Sequence, residues 1–206
     1  MHPNPAFRQT PEARSIGFAR EQGFGLLCVG TGDAPLVSHI PFLLSEDGKR
    51  AEFHLVRSNP IARMLAVPVQ ARLAVQGPQS YVSPDWYGVE DQVPTWNYIA
   101  VHLVGEVSLQ PQERLHDLLD RQSAMFEEQL APKTPWTTAK MSDGVMEKMM
   151  RQIVPCVMQV AEIDSTWKLN QNKPGEVRLR AAGEVADHGL GQETAALAAH
   201  MRAPDG

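Results

Sequence analysis

Apolar and polar residues alternate along much of the chain, and elsewhere the apolar ones recur three and four apart. The period of two predicts strands over "FGLLCVG" (24–30), "LVSHIPFLL" (36–44), "AEFHLVR" (51–57), "ARLAVQG" (71–77), the stretch "VPTWNYIAVHLVGEV" (93–107) and "CVMQVAEI" (156–163). The longer period predicts helices over 10–23, 58–66, 111–130 and 142–153, with one more near 191–202. Thr10, Ser58 or Asn59, and Ser142 suit helix starts, Pro11 and Pro60 suit early helical positions, and Gly23 suits an end. Pro41 has no N–H for a ladder, so the second strand has an edge or a bulge there. Residues 78–94 read as a long loop, with or without a short strand, and "DSTWKLNQNKPG" (164–175) reads as a polar loop. Short antiparallel strands interrupted by a few helices make the chain mostly β with helices: a small β-barrel with helices at its ends.

The strand entered at Thr95 carries the least ordinary pattern. Ile99, Val101, Leu103, Val107 and Leu109 share one face with Gly105, while Trp96, Tyr98, Ala100 and His102 share the other. Two large aromatics and a histidine turned away from the strand's own core call for a second covering surface, which predicts a homodimer.

Composition narrows the function classes. The chain has 206 residues, 43% hydrophobic and 21% charged, enough for one packed domain with or without a tail. It has no apolar run long enough for a membrane span and no signal-like start, and Cys28 and Cys156 stand far apart, which together point to the cytoplasm. The formal net charge is −5 and the 19 Lys and Arg are dispersed, so direct DNA binding is doubtful. No G-x-S-x-G, GxGxxG or Walker loop occurs, and no Cys or His spacing points to a metal; no catalytic residue is identified.

Four polar clusters at element boundaries remain. "HLVRSNP" (54–60) places Arg57, Ser58 and Asn59 between a strand and a helix, an arrangement suited to a phosphate. "SHIPF" (38–42) turns His39 away from the barrel core, with Ser38 beside it in sequence. The entrance of the fifth strand offers Thr95, Trp96, Asn97 and Tyr98. "WKLNQNKP" (167–174) offers Lys168, Gln171, Asn172 and Lys173 beside Trp167; amide side chains are suited to reading the edge of a heterocycle. Each cluster also has a plain reading: a capped helix, a solvated face, a subunit contact, a solvated loop.

The strings "SHIPF", "HLVRSNP", "QGPQSYVSPDWY", "VPTWNYIAVHLVGEV" and "WKLNQNKP", in this order, resemble the PaiB-type FMN-binding negative transcriptional regulators. The resemblance covers about residues 1–180, with a departure at Asn170, where the family usually has Ser; residues 181–206 form a tail outside the pattern, with room for one short helix. The resemblance implies a flavin-reductase-like split β-barrel that dimerises, FMN as cofactor in a groove between subunits, and a regulatory role. For such a cofactor the residues themselves place the phosphate at Arg57–Ser58–Asn59, where the guanidinium and the positive end of the helix beginning near Pro60 would meet it. The amide- and lysine-rich 167–174 segment, which follows the last strand, is expected to reach the 95–98 cluster from the partner subunit. The fold's range leaves two other readings open: a flavin-dependent oxidoreductase, or a haem-binding or haem-degrading protein with His39, His54 or His102 as ligand.

Overall fold

The computed structural model describes residues 1–204, which form two compact units. Ile16–Ala74 and Leu103–Glu162 make up one; Met1–Ser15, Val75–His102 and the chain from Ile163 onward make up the other. The last two residues of the tail expected over 181–206 lie outside the described residues.

The first unit is a closed six-stranded barrel. Its strands are β1 (Phe24–Val29), β2 (Leu36–Leu44), β3 (Arg50–Val56) and the parts of β4 (Val69–Val82), β5 (Thr95–Leu109) and β6 (Ile153–Lys168) that belong to this unit. They hydrogen-bond in the order β1-β2-β3-β6-β5-β4, and β1 closes the ring by pairing with β4 from Leu26↔Ala74 to Val29↔Ala71. Closure leaves no free barrel edge to recruit another strand. Alternation predicts the interior correctly: Leu27, Ile40, Phe42, Phe53, Leu55, Leu73, Leu103 and Met158 are buried. Gly105 is required where β5 meets β6, because a Cβ there would lie 1.9 Å from the Gln159 carbonyl oxygen.

Helices α1 (Glu12–Gln22), α2 (Pro60–Met64), α3 (Leu115–Glu128) and α4 (Val145–Met150) accompany the barrel strands in sequence. In the barrel unit α3 covers the outer face of β3. Arg121 pairs with Glu52 at 3.1 Å, and Gln122, buried, hydrogen-bonds His54. The expected helices over 58–66 and 142–153 are real but short, five and six residues.

The second unit contains the other parts of β4, β5 and β6, with β7 (Gly191–Gln192) paired to β4 at Gln79 and Ser80. Two helices follow β6, α5 (Gly175–His188) and α6 (Thr194–Arg202), and their Ala181, Val185, Leu197 and Met201 are buried. Trp167 is buried here too, donating to Ser15 Oγ at 3.1 Å beneath the Arg14 guanidinium, 4.5 Å from the ring centre.

Two strands outrun the sequence reading. β4 continues past Gly77 and Pro78 to Val82, and β6 continues through "DSTWK", which the sequence suggested was loop. Pro78 lies between the stretch of β4 paired with β1 and the stretch paired with β7. Leu109, placed on the core face by alternation, is 40% exposed at the strand's end.

Candidate functional site

In the barrel unit the structure joins two of the four clusters. Asn59 caps α2, its Oδ1 accepting from Ile61 N at 2.9 Å, and its Nδ2 donates to Ser38 Oγ at 3.0 Å. A hydroxyl on β2 and an amide at the β3–α2 junction are thereby fixed together. Ser58 beside them is exposed. No Asp or Glu occurs in 36–44 or 56–64, so the donors here meet no local carboxylate in sequence.

Arg57 is more committed than its sequence suggests. Its Nε donates to Arg151 O at 3.0 Å, and one terminal nitrogen donates to Gln112 Oε1 at 2.9 Å and Ile153 O at 3.3 Å. All three partners are neutral acceptors, and among the described residues no carboxylate pairs with this guanidinium. Its charge is thus unneutralised at the surface, a condition that favours an anion. The expected help from a helix dipole is a correction: α2 is five residues long, too short to offer a substantial positive end.

The three histidines differ. His39 is exposed on the barrel exterior, its ring 6.3 Å from that of Phe24. His54 lies under α3, where burial holds its pKa below the usual histidine value; the hydrogen bond its ring N–H donates to the Gln122 side-chain oxygen opposes this, and Nδ1 has no partner. His102, on β5, is half-buried and has a partner of its own.

In the second unit the other two clusters meet. Lys168, at the end of β6, donates to Thr95 Oγ1 at the start of β5, with the Phe7 ring 5.8 Å away. Burial lowers the pKa of this ammonium. Lys173 donates to Gln92 Oε1 and stands 4.3 Å over the Tyr87 ring, while Tyr87 donates to Asn170 Oδ1 at 3.4 Å. Burial raises the pKa of Tyr87 and of Tyr98, the latter hydrogen-bonded to Thr166. The 167–174 segment therefore meets the 95–98 cluster within one chain, and no crossing from a partner subunit is needed.

Three residues of these clusters turn out to hold the fold. Gln171 Oε1 accepts from Leu169 N at 2.8 Å and its Nε2 donates to Trp167 O at 2.5 Å, so its amide closes the turn after β6. Asn170 takes the left-handed conformation in that turn, φ +62°, which Asn tolerates. Asn97 faces inward, fully buried, with Nδ2 3.5 Å from Met201 Sδ and Oδ1 unpartnered. Asn172 is exposed.

Trp96 does face away from the core, 47% exposed, as the alternation predicts. It belongs to a row the sequence reading missed: Tyr81 stands 6.4 Å from both Trp96 and Trp86, edge to face with each. The signal lay in "QSYV", whose alternation continues β4 beyond its proline.

Comparisons with known proteins agree with this architecture. The chain is 29% identical over 172 residues to the "Protease synthase and sporulation protein PAI 2" of Bacillus subtilis (strain 168), covering 82% of each. Among solved structures it resembles the FAD and heme binding protein from Mycobacterium smegmatis, with a TM-score of 0.58, 14% identity, and 89% of this chain and 81% of that one covered. It also resembles the conserved hypothetical protein Rv2991 from Mycobacterium tuberculosis, with a TM-score of 0.55, 14% identity, and 82% and 92% covered. These likenesses establish the fold as the split barrel expected from sequence. Residues 1–162 match one family model, and the chain belongs to that family, described as "Putative FMN-binding domain".

Proposed function

We propose that this chain is an FMN-binding regulatory protein of the PaiB type that works as a homodimer. The observation that carries the reading is the family match over residues 1–162, with the PAI 2 relative aligned over most of both chains. The residues fit the phosphate end of the cofactor. Ser38, Ser58 and Asn59 offer hydroxyl and amide groups, and Arg57 offers a charge paired only with neutral acceptors. The second unit offers a cluster of its own, Thr95, Trp96, Tyr98 and Lys168, suited to a planar, negatively charged group: Trp96 is open to stacking, and Lys168 presents its ammonium at Thr95. His39, Asn172 and Lys173 remain peripheral candidates. Gln171 and Asn97 are left out, because their amides serve the turn and the interior.

Support for the dimer comes from the apolar exterior of the barrel unit, where Phe24, Val37 and Val56 are each about half exposed. Regulation through direct DNA contact by the isolated chain is not part of the proposal, given the −5 charge.

The test compares FMN with riboflavin, which lacks the phosphate. Wild type should bind FMN more tightly, and Arg57→Ala should reduce that preference by about 1.5–3 kcal/mol while leaving riboflavin binding nearly unchanged. Equal affinity of the wild-type protein for the two ligands removes the phosphate assignment. Absence of any flavin band or binding removes the reading as a whole. Light scattering should give twice the 22.8 kDa chain mass; a monomer at micromolar concentration removes the dimer.

A further inference from the structure

A groove of about 540 Å³ opens in the barrel unit between α1, β2 and α3, lined by none of the residues assigned above. Its apolar floor is Leu43, Leu44 and Met125, the last a flexible side chain that adapts to what it touches. Gly17 also lines it, from the interior of α1. A glycine there weakens a helix relative to alanine, and packing does not demand it: a Cβ at Gly17 would meet nothing within 4 Å. The glycine keeps space open.

The rim is acidic. Arg20 is already occupied, its Nε donating to Leu44 O at 3.2 Å and its guanidinium 4.0 Å from Glu46. Glu21 and Glu128 have no ion pair among the described residues. Glu21 stands in the last turn of α1 and Glu128 is the last residue of α3. Both carboxylates therefore sit at the negative ends of helices, where folding favours a cation instead. Two helix ends and two unpaired carboxylates converge beside an apolar floor.

We propose that this groove binds a small organic cation, an ammonium carried on an apolar body. The ammonium meets Glu21 and Glu128, and the body lies along Leu43, Leu44 and Met125 over Gly17. The site is separate from the flavin reading and stands or falls without it.

The test uses the full chain with methyl-labelled methionine, n-octylammonium as probe, and octanoate and 1-octanol as charge controls. Octylammonium should shift the Met125 methyl resonance saturably, with octanoate silent and octanol at least tenfold weaker. Glu21→Gln combined with Glu128→Gln should weaken octylammonium at least tenfold. Gly17→Leu should abolish binding while melting at or above the wild-type temperature, and FMN affinity should not change in either variant. Equal binding of octylammonium and octanoate, no Met125 shift at millimolar probe, or full affinity in the double Gln variant would overturn the proposal. The double Gln variant decides the matter even if Gly17→Leu does not fold.

Discussion

The Asn59 amide donates to the Ser38 hydroxyl at 3.0 Å, tying the β3–α2 junction to β2 across 21 positions of chain. The same side chain caps α2 through its other atom. One residue thus serves local structure and the candidate phosphate cluster, and substitutions can separate the two roles. Asn59→Ala should lower stability by about 1 kcal/mol through the lost cap. Asn59→Asp keeps a cap oxygen but replaces the donor to Ser38 with a carboxylate. It should cost less stability than Ala in a urea titration and yet weaken FMN at least tenfold, about 1.4 kcal/mol. Wild-type FMN affinity in the Asp variant would place the phosphate elsewhere.

Gln171 gives the opposite pattern. Its amide satisfies Leu169 N and Trp167 O, both backbone groups of the turn after β6. Gln171→Ala should cost about 1–2 kcal/mol of stability through two lost hydrogen bonds. FMN affinity, measured where the variant is still folded, should stay within twofold of wild type. A tenfold loss there would return Gln171 to the cofactor site.

His54 predicts a pH dependence. Burial disfavours its charged form, so its folded pKa lies below the ordinary 6.5. Above about pH 6.5 the ring is neutral in both states and pH makes no difference. As pH falls through 6.5 toward the folded value, the unfolded chain takes up the proton first and stability declines. The loss is complete below the folded pKa. His54→Leu should flatten the slope of unfolding free energy between pH 7 and 5, whatever its effect on the absolute level. An unchanged slope would assign the acid sensitivity to other groups.

Much of this architecture is legible in the residues because most strands bury one face, and alternation reports that directly. β2, β3 and β5 stand close to where their patterns put them, and Trp96 and Tyr98 lie on the face opposite the buried Ile99 and Val101. The misreadings have a common cause. Punctuating residues at "GP" (77–78) and polar ones at "DSTWK" (164–168) look like loop, yet neighbouring strands supply the hydrogen bonds that keep β4 and β6 extended. Site chemistry was legible as clusters but not as roles. Nothing in "WKLNQNKP" distinguishes Lys168, which reaches Thr95, from Gln171, which turns back on its own backbone. That choice depends on chain geometry after β6, set by the left-handed Asn170.

The boundary between the two compact units crosses the chain at 15/16, 74/75, 102/103 and 162/163. Each crossing falls inside a regular element: α1, β4, β5 and β6 in turn. A modular protein is divided at its connectors, but this one is divided through its hydrogen-bonded segments. Neither unit corresponds to an uninterrupted stretch of polypeptide, so neither can be cloned as a simple truncation or exchanged between homologues by one splice. Insertions, tags and permuted termini belong instead at an exposed turn, such as 31–35, where no such element is severed.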